Sequence, residues 1–116
     1  MGPLAAGQVV LPGFPFSDLT GSKLRPALLV ADAGRGDWIA CQITSNPYAD
    51  TNAIPQSADA FSAGGLQRIS YLRPGKIFTA NVRLVEDVRG TLQAMVFEQA
   101  RAVLVEMILG ASVAAR

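Results

Sequence analysis

The chain has 116 residues, half of them hydrophobic and 16% charged, with ten Lys and Arg against nine Asp and Glu. This length suits one domain over residues 1–116, with a core large enough to need no disulfide. The composition is too apolar and too evenly charged for a disordered chain, and a net charge of +1 excludes the uniform basicity of a chromatin-type protein while leaving room for a local basic groove. There is no histidine and one cysteine, Cys41, so neither an internal disulfide nor a thiolate zinc cluster can form. Any chemistry rests on carboxylates, hydroxyls, Lys or Arg.

Gln8-Val9-Val10-Leu11, closed by Pro12, reads as a first strand. Gly13 to Lys23 is rich in breakers and small polar residues and reads as a long loop, whose Phe14, Phe16 and Leu19 argue for order. Arg25-Pro26 then opens the apolar strand Ala27 to Ala31. Asp32 to Asp37 supplies a turn, and Trp38 to Thr44 returns as the third strand of a hairpin. Both strands are nearly continuous apolar runs, which predicts cover on both faces, and Cys41 within the second reads as a small buried hydrophobe. Ser45 to Ser57 is polar and broken by Pro47 and Pro55, a further loop in which Asp50 reads as a turn or capping residue.

Ala60 to Gln67 and Ile69 to Leu72 are short strand candidates, Arg73-Pro74-Gly75 a turn, and Lys76 to Ala80 another strand. Gly90-Thr91 reads as a stop followed by a helix N-cap. From Leu92 the period changes to 3.6. Leu92, Val96, Ala100, Val103 and Met107, flanked by Phe97, Leu104 and Ile108, form an apolar stripe opposite Glu98, Gln99, Arg101 and Glu106, and Gly110 ends the helix. Short strands followed by one C-terminal helix predict a mainly β, α+β domain: a small barrel or two-sheet unit capped by a helix. Met1 to Gly7 lacks a charged segment leading into an apolar one, and Ala102 to Ala115, interrupted by Glu106, is too short to span a bilayer. A cytoplasmic protein with no membrane association is expected.

Polar residues interrupt this scaffold at informative places. Arg25 sits where the long loop enters a strand, and Thr44, Ser45 and Asn46 sit where the third strand leaves. If the two strands pair around Gly34-Arg35-Gly36, Arg25 and Thr44 are equidistant from the turn and approach one another. A guanidinium beside a hydroxyl, among Gly-rich and Ser/Thr-rich loops, makes a phosphate-sized site with charge-assisted donors. Each residue also has a plainer reading: a solvated charge for Arg25, ordinary strand-exit chemistry for Thr44-Ser45-Asn46-Pro47, a loop anchor for Phe16. No paired carboxylates, acidic metal cluster or nucleotide-binding glycine loop is evident.

Gly7 to Leu11, Phe14 to Asp18, Lys23-Leu24-Arg25-Pro26-Ala27-Leu28, Ile43-Thr44-Ser45 and Ser70 to Thr79, with the final helix, resemble the MazF/PemK toxins over roughly residues 7–110. The resemblance implies an SH3-like small barrel of the MazF/CcdB/Kid type and a homodimer. It also implies metal-independent, sequence-specific endoribonuclease activity on single-stranded RNA, without a cofactor and neutralised by a cognate antitoxin. The products would be a 2′,3′-cyclic phosphate and a 5′-hydroxyl. The family's catalytic arginine and threonine fall on Arg25 and Thr44. Phe16, Ser17, Thr20, Ser22, Lys23, Ser45, Asn46 and Gln67 are expected to bind RNA, as is Arg73, which stands in Arg73-Pro74-Gly75 where plasmid-type members carry Arg-x-Asp. Those members also have a loop histidine that this chain lacks. The alternative is a non-catalytic toxin on the same fold that binds a protein such as DNA gyrase; the apolar C-terminal helix favours it.

Overall fold

A computed structural model of the chain describes residues 2–12, 25–47 and 49–110. Seven strands, β1 (Gln8–Pro12), β2 (Ala27–Gly34), β3 (Asp37–Thr44), β4 (Ile54–Gln56), β5 (Phe61–Gly64), β6 (Ser70–Asn81) and β7 (Val85–Leu92), precede one helix, α1 (Ala94–Leu109). They form a single sheet in the order β4-β6-β3-β2-β1-β7-β5, with every pairing antiparallel. The mainly β architecture with a C-terminal helix is the one expected. The sheet is not closed: β4 and β5 remain as its edges.

The β2–β3 hairpin forms because alternating small and branched apolar residues can pack on both faces while Arg35-Gly36 turns the chain. Both turn residues have positive φ, 59° and 80°, the handedness that matches strand twist in a two-residue loop. The turn expected over Asp32 to Asp37 is thus narrower, and the strands run to Gly34 and from Asp37. One face of the sheet packs Val9, Leu28, Cys41, Ile43 and Leu72 against Phe97, Ala100 and Leu104 of α1. The other gathers Val10, Ala27, Leu29, Trp38, Ala40, Ala80 and Val85, strand residues alone, with Leu4 and Phe78 at its margin. The expected cover on both faces of β2 is present, since Ala27, Leu28 and Leu29 are all fully buried.

Four sequence expectations are corrected. Ile54–Gln56, expected in a loop, is a short edge strand, a position where Pro55 costs no inner ladder bond. Arg73-Pro74-Gly75 is no turn: β6 is continuous, but Cys41 faces Ile77 while Ile43 faces Leu72, so Arg73 to Lys76 bulge opposite Gln42. Gly90-Thr91 lies inside β7, and α1 begins at Ala94 after Gln93, which makes no side-chain cap bond. The helix stripe that packs is Phe97, Ala100 and Leu104, with Val96, Val103 and Met107 only partly covered and Ile108 in solvent. Gly110 caps the helix in the left-handed region as expected, at φ 67°. No helix among the described residues is long and apolar enough to cross a membrane.

Candidate active site

The β2–β3 ladder pairs Ala27 with Gln42 and Leu28 with Cys41, and the Ile43 amide donates to the Pro26 carbonyl at 2.9 Å. Continued by two residues, the same register sets Arg25 opposite Thr44 at the end of the hairpin away from its turn. A cleft of about 510 Å³ opens there, and Arg25, Thr44, Ser45 and Gln67 all line it. Sequence reasoning missed two further lining residues, Arg68 and Arg89. Three arginines thus share one cavity, and among the described residues that line it there is no carboxylate, an arrangement that favours an anion.

Arg25 is exposed. Thr44 is buried, and its hydroxyl is engaged within its own loop: Oγ1 donates to the Asn46 carbonyl at 3.1 Å and accepts from the Asn46 amide at 3.2 Å. This Ser/Thr-type turn is the strand-exit chemistry read from the sequence. It also fixes the hydroxyl of a residue that lines the cleft with Arg25. Asn46 is exposed and lies outside the cleft lining, as does Arg73. Arg73 instead pairs with Asp50, Nε to Oδ2 at 3.0 Å, and its carbonyl accepts from the Cys41 thiol at 2.8 Å. The Asn52 amide and then Arg73 hold the Asp50 carboxyl below its usual range. That network fastens the loop after β3 to the β6 bulge. Phe16, Ser17, Thr20, Ser22 and Lys23 lie outside the described residues.

Cys41 is fully buried, and burial, with the Asp50 charge adding, pushes its thiol up to about 12. A thiol so protonated is a poor nucleophile, in keeping with the packing role read from the sequence. Among the described residues no three Cys, Asp or Glu side chains group as a metal site would require.

The second wall depends on glycines. At Gly64, with φ 64°, a Cβ would fall on the Arg89 carbonyl oxygen, and at Gly90 one would come within 2.7 Å of the Ala63 carbonyl and 2.8 Å of the Gly65 amide nitrogen. Only with both positions bare can β5 close on β7, where the Gly65 amide donates to the Arg89 carbonyl at 3.0 Å. That contact delivers the following segment, Leu66-Gln67-Arg68, into the cleft. The Ser70 hydroxyl then donates to the Arg68 carbonyl at 3.2 Å and holds the segment's far end. Gly64-Gly65 and Gly90 were the only sequence signal for this wall, and a glycine does not disclose which strand it approaches.

No family model matches the sequence, and no curated protein matches it. Solved structures do match, and they share the fold. An endoribonuclease in complex with its cognate antitoxin, from a mycobacterial species, superposes with a TM-score of 0.67 at 16% identity, covering 96% of this chain and 97% of that one. The Mycobacterium tuberculosis toxin MazF-mt6 gives 0.66 at 18% identity, over 90% and 97% of the two chains. MazF from Deinococcus radiodurans in a MazE–MazF complex gives 0.65 at 24% identity, over 92% and 95%. The chain has the MazF fold.

Proposed function

We propose that this chain is the toxin of a toxin–antitoxin pair, an endoribonuclease that cuts single-stranded RNA. The carrying observation is the hairpin register that brings Arg25 opposite Thr44 at a cleft whose described lining holds three arginines and no carboxylate, on a fold shared with an endoribonuclease and with MazF toxins. RNA carries its own nucleophile. The 2′-hydroxyl gives up its proton as its oxygen attacks the adjacent phosphorus, the bond to the 5′-oxygen breaks as that oxygen takes up a proton, and a 2′,3′-cyclic phosphate and a 5′-hydroxyl remain. The protein's task is to orient the phosphate and stabilise the charge growing on its oxygens. The Arg25 guanidinium neutralises that charge. Thr44 turns its hydroxyl from the Asn46 carbonyl to a non-bridging oxygen. Ser45, Gln67 and the Phe16–Lys23 loop hold the flanking nucleotides, since single-stranded RNA is read by stacking and by hydrogen bonds to base edges. Arg73 acts behind the cleft through Asp50. Neither step uses histidine, which the chain lacks, or a metal ion.

An antitoxin with an extended acidic segment competes with RNA for the same arginines; one matching structure is of an endoribonuclease in complex with its cognate antitoxin, and others are of MazE–MazF complexes. The test is incubation of the purified chain with a long defined RNA in EDTA. Discrete cuts leaving 5′-hydroxyl ends are expected, falling about a hundredfold in rate in Arg25→Ala. Arg25→Ala cutting as fast as wild type removes Arg25 from the reaction. Intact RNA, with replication arrested in cells, turns the reading to the gyrase-type alternative.

A further inference from the structure

The cleft holds more positive charge than one phosphate needs, and the charge sits on two separate walls. Arg25 and Thr44 belong to the β2–β3 end. Arg68 and Arg89 belong to the wall built by β5, β7 and the segment between β5 and β6. In the sheet order β1 lies between β2 and β7, which sets the Arg25 and Arg89 backbones on the order of 10 Å apart across two inter-strand steps.

Arg89 is placed by a bulge. On β1, Val9 faces Gly90 and Val10 faces Val88, so Arg89 is the extra residue with no partner across the ladder. An extra residue of this kind re-aims its side chain out of the regular alternation of a strand, and Arg89 lines the cleft that Arg25 lines. Among the described residues its carboxylate partner, Asp87, is loose: Nε lies 3.4 Å from Asp87 Oδ2, with both side chains about half exposed, at 47% and 54%. Exposed pairs of this sort contribute little, and a phosphate can take the guanidinium from it. Arg68 arrives on the segment fixed by the Gly65–Arg89 and Ser70–Arg68 hydrogen bonds.

We infer that Arg68 and Arg89 form a second phosphate subsite, which takes a phosphodiester flanking the one at Arg25 and Thr44. The cleft therefore recognises a polynucleotide strand by at least two of its phosphates. The inference rests on the reading of this cleft as an RNA site, and binding tests it separately from cleavage. Uncleavable 2′-deoxy single strands of two and of five nucleotides, holding one and four internucleotide phosphates, are titrated against the wild-type chain and an Arg68→Gln/Arg89→Gln variant at several salt concentrations.

In wild type the longer strand should bind more tightly, and in the variant that advantage should shrink about ten-fold. The slope of log affinity against log salt should fall by about 0.7 for each cation removed. Asp87→Asn, which frees Arg89, should widen the advantage. An unchanged length advantage in both variants overturns the subsite. So does displacement of the longer strand by inorganic phosphate as readily as by the five-nucleotide strand itself, which would mark a free-anion site. If the length advantage depends on the two arginines but wild type leaves RNA uncut, the endoribonuclease reading fails and the subsite stands. If wild type cuts RNA and the variants keep the length advantage, the reading stands and the subsite fails.

Discussion

Thr44 shows how one side chain serves both structure and proposed chemistry. Its hydroxyl closes a turn on Asn46 while sitting at the cleft with Arg25. Replacing it by valine keeps the shape and removes both hydrogen bonds. Thr44→Val should lower stability by about 2 kcal/mol, the net worth of two typical hydrogen bonds, and RNA cleavage by about a hundredfold. Thr44→Ser, which keeps the oxygen, should retain most of both. Measuring melting temperature and cleavage rate on the same preparations separates the roles, and cleavage by Thr44→Val at the wild-type rate would confine Thr44 to its turn. Cys41 makes a different prediction. In the unfolded chain its thiol ionises near 9.0, whereas folded it holds its proton to about 12. Above pH 9 the unfolded state binds fewer protons than the folded one, so the thiol's contribution is complete below pH 9 and is lost as pH rises toward 12. Chemical denaturation at pH 8 and pH 10.5 should show a loss in wild type that is smaller in Cys41→Ala; equal losses would mean the thiol titrates normally.

At the scale of elements, the most consequential contact is the close approach of β5 to β7. Gly90→Ala sets a methyl against the Ala63 carbonyl and the Gly65 amide, and neither backbone can yield cheaply. The expected cost is about 3 kcal/mol, together with displacement of the Gln67–Arg68 wall. Thermal unfolding with RNA binding measures both, and a variant as stable as wild type would mean the strands are not so closely packed. The same region marks the limit of what the sequence disclosed. The β2–β3 hairpin, the Arg25–Thr44 register and the Gly110 cap were legible because hydrophobic period, turn residues and symmetry about the turn are local. The Arg73–Lys76 bulge was read as a turn because Pro-Gly is turn chemistry wherever it occurs, and what keeps it in a strand is non-local: Pro74 is buried and the Arg73 carbonyl takes the Cys41 thiol. β7 was not read as a strand at all, and its end was taken for a helix start because Gly90-Thr91 looks like one until β5 is seen against it. Arg68 and Arg89 reach the cleft only through pairings between strands distant in sequence, which no period encodes.

At the scale of the molecule, α1 carries apolar residues beyond those its own sheet covers. Phe97, Ala100 and Leu104 are packed inward, yet Met95, Val105, Ile108 and Leu109 stay exposed, the last two at 71% and 72%. Ile39 and Ile77, on the paired strands β3 and β6, are also more than a third exposed. The β6 bulge lies near the helix's last turns, where the Met107 methyl would sit 3.6 Å from a Cβ at Gly75, so strand and helix contributions border one another. A second copy offers the same apolar patch, and a two-fold arrangement covers both at once. We therefore propose a symmetric homodimer through strand residues and the end of α1, with each partner burying roughly the 800 Å² of a stable interface. Wild type should sediment at about twice 12.2 kDa at micromolar concentration. Ile108→Lys/Leu109→Lys alters only side chains already in solvent, so it should leave the fold intact and shift the chain to 12.2 kDa. A wild type that sediments as a monomer, or a variant that stays paired, places the association elsewhere or removes it.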